Sequence, residues 1–325
     1  MQQLFSENML YLLLLIAGFL PLIYGANLLV DNASSLAKRF NIPNIVIGLT
    51  IVAFGTSAPE LVVNIFAAVE KNPDIVMGNV IGSNIFNVGM ILAISAIIYP
   101  LAVKKTTTWI EVPLALLAGV VVFILASDQL IDKASASVVT RSDGMLLLLF
   151  FLIFLAYNYM LMLKGDYTEE NTVKDVAPWK ATLLLIAGLA LLVAGGRMIV
   201  YGAVQVASSL GISQRIIALT IVSAGTSLPE LATSIVAARK KNTDIAVGNI
   251  VGSNIFNIFL ILGASAVIYP VTVASTAIID MGMNLLLGLL VFLFIFTGKG
   301  RKLERGEGIV MLLLYLGYLT YLIMA

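Results

Sequence analysis

The sequence predicts an all-α integral membrane protein whose ten transmembrane helices form two inverted five-helix repeats. Of its 325 residues, 60% are hydrophobic and only 11% are charged. A soluble domain of ordinary composition has about 25% charged residues. The chain also repeats itself at an offset of 170 residues. Each copy holds an odd number of apolar segments, so the second copy must enter the membrane from the opposite side.

The composition excludes several classes of chemistry. The chain has no histidine and no cysteine, which rules out His-based triads, thiol nucleophiles, disulfides and zinc–thiolate sites. Any bound metal must therefore have oxygen ligands, as Na⁺, K⁺, Mg²⁺ and Ca²⁺ prefer. A net charge of +1 gives no indication of nucleic-acid binding. The chain has no Walker-type motif, which argues against an ATP-driven pump. It also lacks the His and Cys residues that an intramembrane enzyme would use as a base or nucleophile. We therefore expect neither an enzyme nor a resident cofactor.

The repeat is strongest in the middle of each half. Residues Thr50–Pro100 and Thr220–Pro270 are identical at 31 of 51 positions. The sequence G-S-N-I-F-N of Gly82–Asn87 returns unchanged as Gly252–Asn257. These matches predict a tandem duplication over nearly the whole chain.

Each half contains five apolar segments, and a transmembrane helix needs about 20 apolar residues. The segments of the first half span residues 9–37, 43–69, 74–100, 109–126 and 143–163, and those of the second half 179–209, 213–238, 244–270, 276–297 and 306–324. The predicted units are a first repeat at 1–163 with its motif region at 48–100, a cytoplasmic linker at 164–178, and a second repeat at 179–325 with its motif region at 218–270.

The distribution of basic residues predicts the orientation. With the N-terminus outside, the cytoplasmic loops contain 14 Lys and Arg residues and the outer loops contain 4. The positive-inside rule then places both termini on the extracytoplasmic side. Inverted repeats are typical of secondary transporters, whose binding sites lie near the membrane midplane where the repeats meet.

The second and seventh segments are each interrupted by the sequence G-T-S-x-P-E, at Gly55–Glu60 and Gly225–Glu230. Glycine can end the first half-helix, Ser or Thr can cap the second, and proline fits its first turn. Backbone carbonyls at such a break are tolerated at depth only when protein, water or an ion satisfies them. The pattern predicts broken helices that supply backbone and hydroxyl oxygen ligands.

Glu60 and Glu230 are the acidic residues predicted to lie deepest in the membrane. A charged side chain there costs about 2.5–3.5 kcal/mol even on the insertion scale. Two at equivalent positions indicate a function, although protonated glutamic acids serving as structural hydrogen-bonding groups are an alternative. Asp31, Glu111 and Asp280 fall near predicted helix ends, where interfacial water suffices.

The third and eighth segments share the sequence G-N-x-x-G-S-N-x-x-N, and we expect these helices to be broken as well. Ser83 and Asn87 share one helical face, as do Ser253 and Asn257. For the remaining asparagines the pattern favours packing or capping; these are Asn79, Asn84, Asn249 and Asn254. Arg197 is expected to extend toward the membrane surface near the end of a long tilted helix.

These motifs resemble the α-repeats of the sodium/calcium exchangers in the calcium/cation antiporter superfamily. The resemblance covers all ten predicted spans and implies Na⁺-coupled Ca²⁺ antiport by alternating access, with lipid and the two ions as the only expected partners. The linker of about 15 residues leaves no room for the calcium-sensing domains of animal relatives. A prokaryotic inner-membrane protein is therefore expected.

The resemblance also assigns roles to residues. The two glutamates match the Ca²⁺ ligands, and two threonines at the breaks match ligands through carbonyl or hydroxyl oxygens; these are Glu60, Glu230, Thr56 and Thr226. The flanking Na⁺ sites match Ala53, Ser57 and Ser83 in one half, and Ser223, Ser227 and Ser253 in the other. Asn87 and Asn257 match the central polar pair. Segments 9–37 and 179–209 match the helices that slide during transport.

One position bears on coupling to K⁺. Potassium-dependent relatives carry aspartate where this chain has Asn257, so we expect exchange without K⁺. A K⁺-dependent or H⁺-coupled antiporter stays an alternative, and so, with less support, does a cation channel. The two ionised glutamates would balance one Ca²⁺ or two monovalent ions, whereas Mg²⁺ fits less well because it dehydrates reluctantly.

Overall fold

Helices account for nearly all of the computed structural model, which describes residues 2–164, 176–210, 223–297 and 300–324. The predicted linker at 164–178 lies mostly outside the described residues, as does the first half of the seventh segment. The elements of the first half are α1 (Gln2–Arg39), α2 (Asn44–Ile47), α3 (Ala53–Thr56), α4 (Ala58–Val69), α5 (Pro73–Phe86), α6 (Ala93–Ile98), β1 (Leu101–Ala102), α7 (Val112–Leu125), α8 (Asp128–Ile131), β2 (Ser137–Val139) and α9 (Arg141–Lys164). Those of the second half are α10 (Pro178–Ser209), α11 (Ser223–Thr226), α12 (Leu228–Arg239), α13 (Thr243–Ile255), α14 (Gly263–Ile268), β3 (Val271–Val273), α15 (Ala277–Thr297), β4 (Lys302–Leu303) and α16 (Arg305–Met324).

Many of these helices are long and apolar enough to cross a membrane. Within the described ranges, 7 meet this criterion, or up to 8 when one bent pair of helices is taken as a single span. The chain is therefore an all-helical, multi-pass membrane protein. The ten-helix arrangement stays a prediction.

The bent pair lies where the sequence predicts a break. The helical run Asn44–Thr56 and the following helix α4 meet at an angle of 49°. Helix α4 then begins at Ala58 with Pro59 in its first turn, and α12 begins in the same way with Pro229. Proline suits this position because the first turn needs no backbone N–H donor.

The third and eighth segments differ from the prediction of broken helices. Pro73–Ile98 and Thr243–Ile268 are each a single helical run of 26 residues. A π-helical segment, Asn87–Leu92 in one and Phe256–Leu262 in the other, replaces the expected break. A π-helical turn widens the helix locally without ending it. Both runs are central, because 72% and 94% of their apolar windows are buried.

The long helices α1 and α10 occupy equivalent positions in the two repeats and cross in close contact. A Cβ atom placed on Gly25 would lie 2.7 Å from the carbonyl oxygen of Gly188, and one on Gly195 would lie 2.7 Å from that of Gly18. Small residues let helix backbones approach in this way. Since Gly18 faces Gly195 and Gly25 faces Gly188, the helices run antiparallel, in agreement with an inverted repeat.

Two short antiparallel sheets join the halves. Strand β1 pairs with β4 in the register Leu101–Leu303, and β2 pairs with β3 in the register Ser137–Val273. Each sheet takes one strand from each half, so the two repeats are connected through backbone hydrogen bonds as well as through helix packing.

Candidate functional site

Two buried glutamates lie at the start of the half-helices α4 and α12. Glu60 and Glu230 are each 1% exposed. Each carboxylate accepts a hydrogen bond from a serine of the other half. Ser227 Oγ donates to Glu60 Oε1 at 2.9 Å, and Ser57 Oγ donates to Glu230 Oε1 at 2.9 Å. The two bonds are related by the 170-residue offset of the repeat, so both breaks contribute to one site.

The role of these two serines differs from the capping role that the breaks predict. Ser57 and Ser227 occupy the N-cap positions of α4 and α12, but neither side chain makes a capping hydrogen bond. Each hydroxyl donates across the interface to a carboxylate instead. A bond to a charged acceptor is stronger than one to a neutral partner, which explains why the carboxylate takes precedence over the cap.

The third and eighth helices add two more serines, one bonded to a carboxylate and one to a serine of a break. Ser253 Oγ donates to Glu230 Oε1 at 3.5 Å. Ser227 Oγ, which bonds Glu60, also lies 3.2 Å from Ser83 Oγ. Ser83 and Ser253 are fully buried. The predicted serines of the breaks and of the two central helices therefore belong to one connected network.

Four asparagines lie together where the two central helices meet. Asn87 Nδ2 donates to Asn254 Oδ1, and Asn257 Nδ2 donates to Asn84 Oδ1, each at 2.9 Å. Asn84 and Asn254 also donate to one another's backbone carbonyls, at 3.2 and 3.4 Å. These two residues, which the sequence assigned to packing or capping, fix the orientation of the amides of Asn87 and Asn257.

The threonines of the breaks are held by the remaining two asparagines of the repeat. Thr56 Oγ1 donates to Asn249 Oδ1 at 3.1 Å, and Asn79 Nδ2 lies 3.5 Å from Thr226 Oγ1. Behind them, Asn64 bonds Asn79 at 2.7 Å and Asn249 bonds Ser234 Oγ at 2.9 Å. The sequence motifs do not single out the supporting pair, Asn64 and Ser234. The sequence feature that could have identified them is their position: they are equivalent residues of the two repeats, each one helical turn after a glutamate.

Four buried oxygen atoms of the two glutamates and the central asparagine pair accept no hydrogen bond from the described part of the chain. They are Glu60 Oε2, Glu230 Oε2, Asn87 Oδ1 and Asn257 Oδ1. Each half contributes one carboxylate and one amide oxygen, and the described residues contain no cluster of three or more acidic, His or Cys side chains. Buried polar atoms normally have partners. Carboxylate and amide oxygens are ligands for Ca²⁺, so this set can bind a hard cation.

Two predicted site residues have a less direct place in this network. Ala53 is fully buried, and its carbonyl oxygen accepts from Thr56 Oγ1 at 3.3 Å and from the backbone N–H of Ser57 at 2.9 Å. Ser223 begins α11, and its side chain lies outside what the structure describes.

Glu111 lies near the start of its helical run, Thr107–Leu125, as the sequence predicts, but interfacial water does not solvate its carboxylate. Its side chain is 0% exposed, and the hydroxyl of Tyr157 donates to Oε1. Packing of α9 against the start of this helical run excludes water from a position that seemed terminal in the sequence. Asp31 is exposed and pairs with Lys240 at 2.6 Å, as an interfacial position allows.

The role of Asn254 in orienting Asn87 can be tested by the variant Asn254→Ala. We expect the affinity for the bound cation to fall by about 10- to 100-fold, because removing a group that orients a ligand has effects of that size. Isothermal titration of the purified protein with Ca²⁺ measures it. Asn158→Ala also removes a buried amide, one that bonds the carbonyl of Phe154 on α9, and should leave the affinity unchanged. Equal losses in both variants would contradict the orienting role.

Comparisons with known proteins agree over nearly the whole chain. A sequence model of the family described as sodium/calcium exchanger protein matches residues 10–160 and 180–324. The chain is 36% identical over 320 residues to the inner membrane protein YrbG of Escherichia coli (strain K12), covering 96% of this chain and 95% of that protein. It is 31% identical over 348 residues to the sodium/calcium exchanger MaX1 of Methanosarcina acetivorans, covering 95% of this chain and 97% of that protein. A solved structure of the sodium-calcium exchanger NCX_Mj soaked with Na⁺ and Sr²⁺ superposes with a TM-score of 0.82 at 31% identity, covering 96% of this chain and 98% of that chain.

Proposed function

The chain belongs to the sodium/calcium exchanger protein family, and from this we propose that it exchanges Na⁺ for Ca²⁺ across the membrane by alternating access, without K⁺. Membership of the family makes it a multi-pass membrane transporter of the cation antiporter type. The substrates, the coupling ion and the residues that bind them are the finer part of the proposal.

The observation that carries the proposal is the set of four unpartnered oxygens on Glu60, Glu230, Asn87 and Asn257. We assign the Ca²⁺ site to these side chains together with Thr56 and Thr226. The two carboxylates supply a charge of −2, which one Ca²⁺ neutralises. Their other oxygens are held by serines, so the carboxylates are positioned before the ion arrives.

Competition for the same carboxylates accounts for exchange. We assign the Na⁺ sites to oxygens beside the glutamates, contributed by Ala53, Ser57, Ser83, Ser223, Ser227 and Ser253. A Na⁺ ion bound between a serine and a glutamate uses the charge that Ca²⁺ requires. Bound Na⁺ and bound Ca²⁺ therefore exclude one another, and the site carries one or the other across the membrane.

The proposed architecture is two inverted repeats, 1–163 and 179–325, joined by a linker at 164–178, with ten helices and both termini extracytoplasmic. The antiparallel contact of α1 with α10 supports the inversion. The reciprocal hydrogen bonds between Ser57 and Glu230 and between Ser227 and Glu60 support a site shared by both halves.

Contacts at the C-terminal ends of the two long helices differ between the halves. At its C-terminal end α1 is held by Asp31, which pairs with Lys240 at 2.6 Å, and by Ser34, which accepts from Asn242 Nδ2 at 3.0 Å. The repeat equivalents of the charged pair are Tyr201 and Glu70, and the described contacts include no bond between them. The C-terminal end of α1 thus has an ion pair that the equivalent end of α10 lacks among the described contacts.

The test is radiolabelled Ca²⁺ uptake into proteoliposomes loaded with Na⁺. We expect uptake to require an outward Na⁺ gradient and to be the same with K⁺ or with choline as the remaining cation. A requirement for K⁺ would replace the proposal with a K⁺-dependent exchanger. Uptake driven by a pH gradient alone would favour H⁺ coupling, and uptake without any cation on the other side would indicate a channel.

A further inference from the structure

A cavity of about 560 Å³ lies beside both breaks and is lined almost wholly by apolar groups. Its walls come from α4, α10 and the α11–α12 break, and include Pro59, Val62, Tyr201, Thr226, Pro229 and Arg197. Pro59 and Pro229 immediately precede the two glutamates. The cavity therefore reaches the backbone of the proposed cation site, and Arg197 is the cationic residue in its lining.

Arg197 does not lie near the end of its helix, as the sequence predicted. Helix α10 spans Pro178–Ser209, so Arg197 lies 12 residues, or about 18 Å at the α-helical rise, before the last residue. No carboxylate among the described residues forms an ion pair with Arg197. The ion pairs found between described residues join Lys104 to Asp244 and Lys240 to Asp31. The side chain of Arg197 is exposed and lines the cavity, and an arginine inside a membrane-spanning helix is usually functional.

The other half of the protein has a neutral residue at the equivalent position. The counterpart of Arg197 is Asn27 on α1, whose amide donates to the carbonyl of Ile23 on its own helix at 2.9 Å. The repeat implies two routes to the site, one beside each long helix, and at this position they differ by one positive charge. A second difference on these helices is Asp31, which pairs with Lys240 and is matched by the neutral Tyr201. These differences are notable because the hydrogen bonds of the site itself are reciprocal between the halves.

We propose that Arg197 is a specificity-determining residue, which lowers the affinity of its side of the protein for cations and for Ca²⁺ more than for Na⁺. The inference rests on the proposed exchange of these ions. Guanidinium stays protonated at every relevant pH. The repulsion that it exerts is proportional to the charge of the approaching ion. The factor by which it weakens Ca²⁺ binding should therefore be the square of the factor for one Na⁺.

The consequence is a difference between the two faces of the membrane. In the proposed orientation the half of α10 that follows Arg197 leads to the extracytoplasmic side. Arg197 then favours release of Ca²⁺ over its capture on the extracytoplasmic side. On the opposite side, where the equivalent residue is Asn27, the affinity of the site for Ca²⁺ is not lowered. The ion gradients alone still set the direction at equilibrium, because the residue changes only the binding on one face.

The variant Arg197→Asn tests this by giving the second half the residue of the first. Half-saturating concentrations of Ca²⁺ and Na⁺ are measured from each face of oriented proteoliposomes. On the extracytoplasmic face we expect Ca²⁺ to bind about fourfold more tightly and Na⁺ about twofold more tightly, with no change on the other face. Arg197→Lys keeps the charge and should behave like the parent protein.

Because the chain has no cysteine, a single introduced thiol can be modified selectively, which allows the charge at position 197 to be varied in a second experiment. Arg197→Cys is treated with cationic, neutral and anionic methanethiosulfonates of similar size. The cationic reagent should restore the weak Ca²⁺ binding, the neutral one should not, and the anionic one should tighten it further. Lys180→Cys, on an exposed position of the same helix, should respond to none of them.

The outcomes separate this inference from the proposed function. If the parent protein exchanges the ions but Arg197→Asn alters neither constant, or alters both equally, Arg197 does not set specificity. If the size-matched reagents change binding regardless of their charge, the effect is steric and the inference fails. If the parent protein carries no Na⁺-driven Ca²⁺ flux, the proposed function itself is wrong.

Discussion

Replacing Glu60 or Glu230 with glutamine is expected to abolish Na⁺-driven Ca²⁺ uptake while the protein still folds. Glutamine has the shape of glutamate and still accepts the hydrogen bond from Ser227 or Ser57. It removes one of the two negative charges that the Ca²⁺ ion needs. Since groups that merely orient a ligand are worth about 10- to 100-fold in affinity, loss of a charged ligand should reduce it by more than about 100-fold. Radiolabelled Ca²⁺ flux and equilibrium Ca²⁺ binding measure the two effects.

The matched control is Glu70→Gln. Glu70 follows the last residue of the helix that begins beside Glu60, but its side chain is exposed. Its loss should leave the flux near that of the parent protein. Size-exclusion profiles of all three variants establish whether they are folded. Parent-like exchange by Glu60→Gln would show that this carboxylate is not a ligand.

Substituting the glycines at the crossing of α1 and α10 is the second change with a large expected effect. A Cβ atom on Gly195 would lie 2.6 Å from the backbone nitrogen of Leu22, and one on Gly188 would lie 2.8 Å from the carbonyl oxygen of Gly25. Backbone atoms cannot move aside as a flexible side chain can, so the helices must separate. We expect Gly195→Ala and Gly188→Ala each to lower the free energy of unfolding by about 1–3 kcal/mol. The double variant should lose most of its exchange activity.

Gly282→Ala provides the control for this prediction. Gly282 lies inside a membrane-spanning helix, α15, and a Cβ atom there would meet nothing within 4 Å. Since alanine is favoured over glycine in a helix by about 0.5–1 kcal/mol, this variant should be at least as stable as the parent. Thermal unfolding followed by tryptophan fluorescence gives the comparison. A Gly195→Ala variant that unfolds at the parent temperature would contradict the close helix contact.

Much of this architecture is readable from the sequence because the relevant signals are local. The bend before Pro59 follows from a glycine and a proline at fixed spacing, and burial of Glu60 and Glu230 follows from their position in the middle of an apolar run. Because the sequence repeats, a structural feature predicted for one half is also expected at the equivalent position of the other half. The membrane class and the central position of the third and eighth segments follow from the same pattern.

Other features depend on contacts between distant segments, which the pattern does not encode. Nothing local shows that Ser57 donates to Glu230 rather than capping its own helix, or that Asn254 orients Asn87. A π-helical segment satisfies the same glycine and asparagine pattern as a break does. The burial of Glu111 against Tyr157 cannot be seen in a hydropathy profile, which shows only that Glu111 is near the start of its helix. The sequence pattern also does not show that Arg197 lines a cavity beside the two breaks.

The reciprocal hydrogen bonds of the site have a consequence for how such a protein can arise. Ser57 to Glu230 is matched by Ser227 to Glu60, and Asn87 to Asn254 is matched by Asn257 to Asn84. Each bond has its twin, so none of them requires that the two halves share one polypeptide. A five-helix ancestor that inserted into the membrane in both orientations could have built the same site as an antiparallel homodimer. Gene fusion would then have freed each copy to change by itself, and a charge at only one of two equivalent positions is a change that a homodimer could not have made.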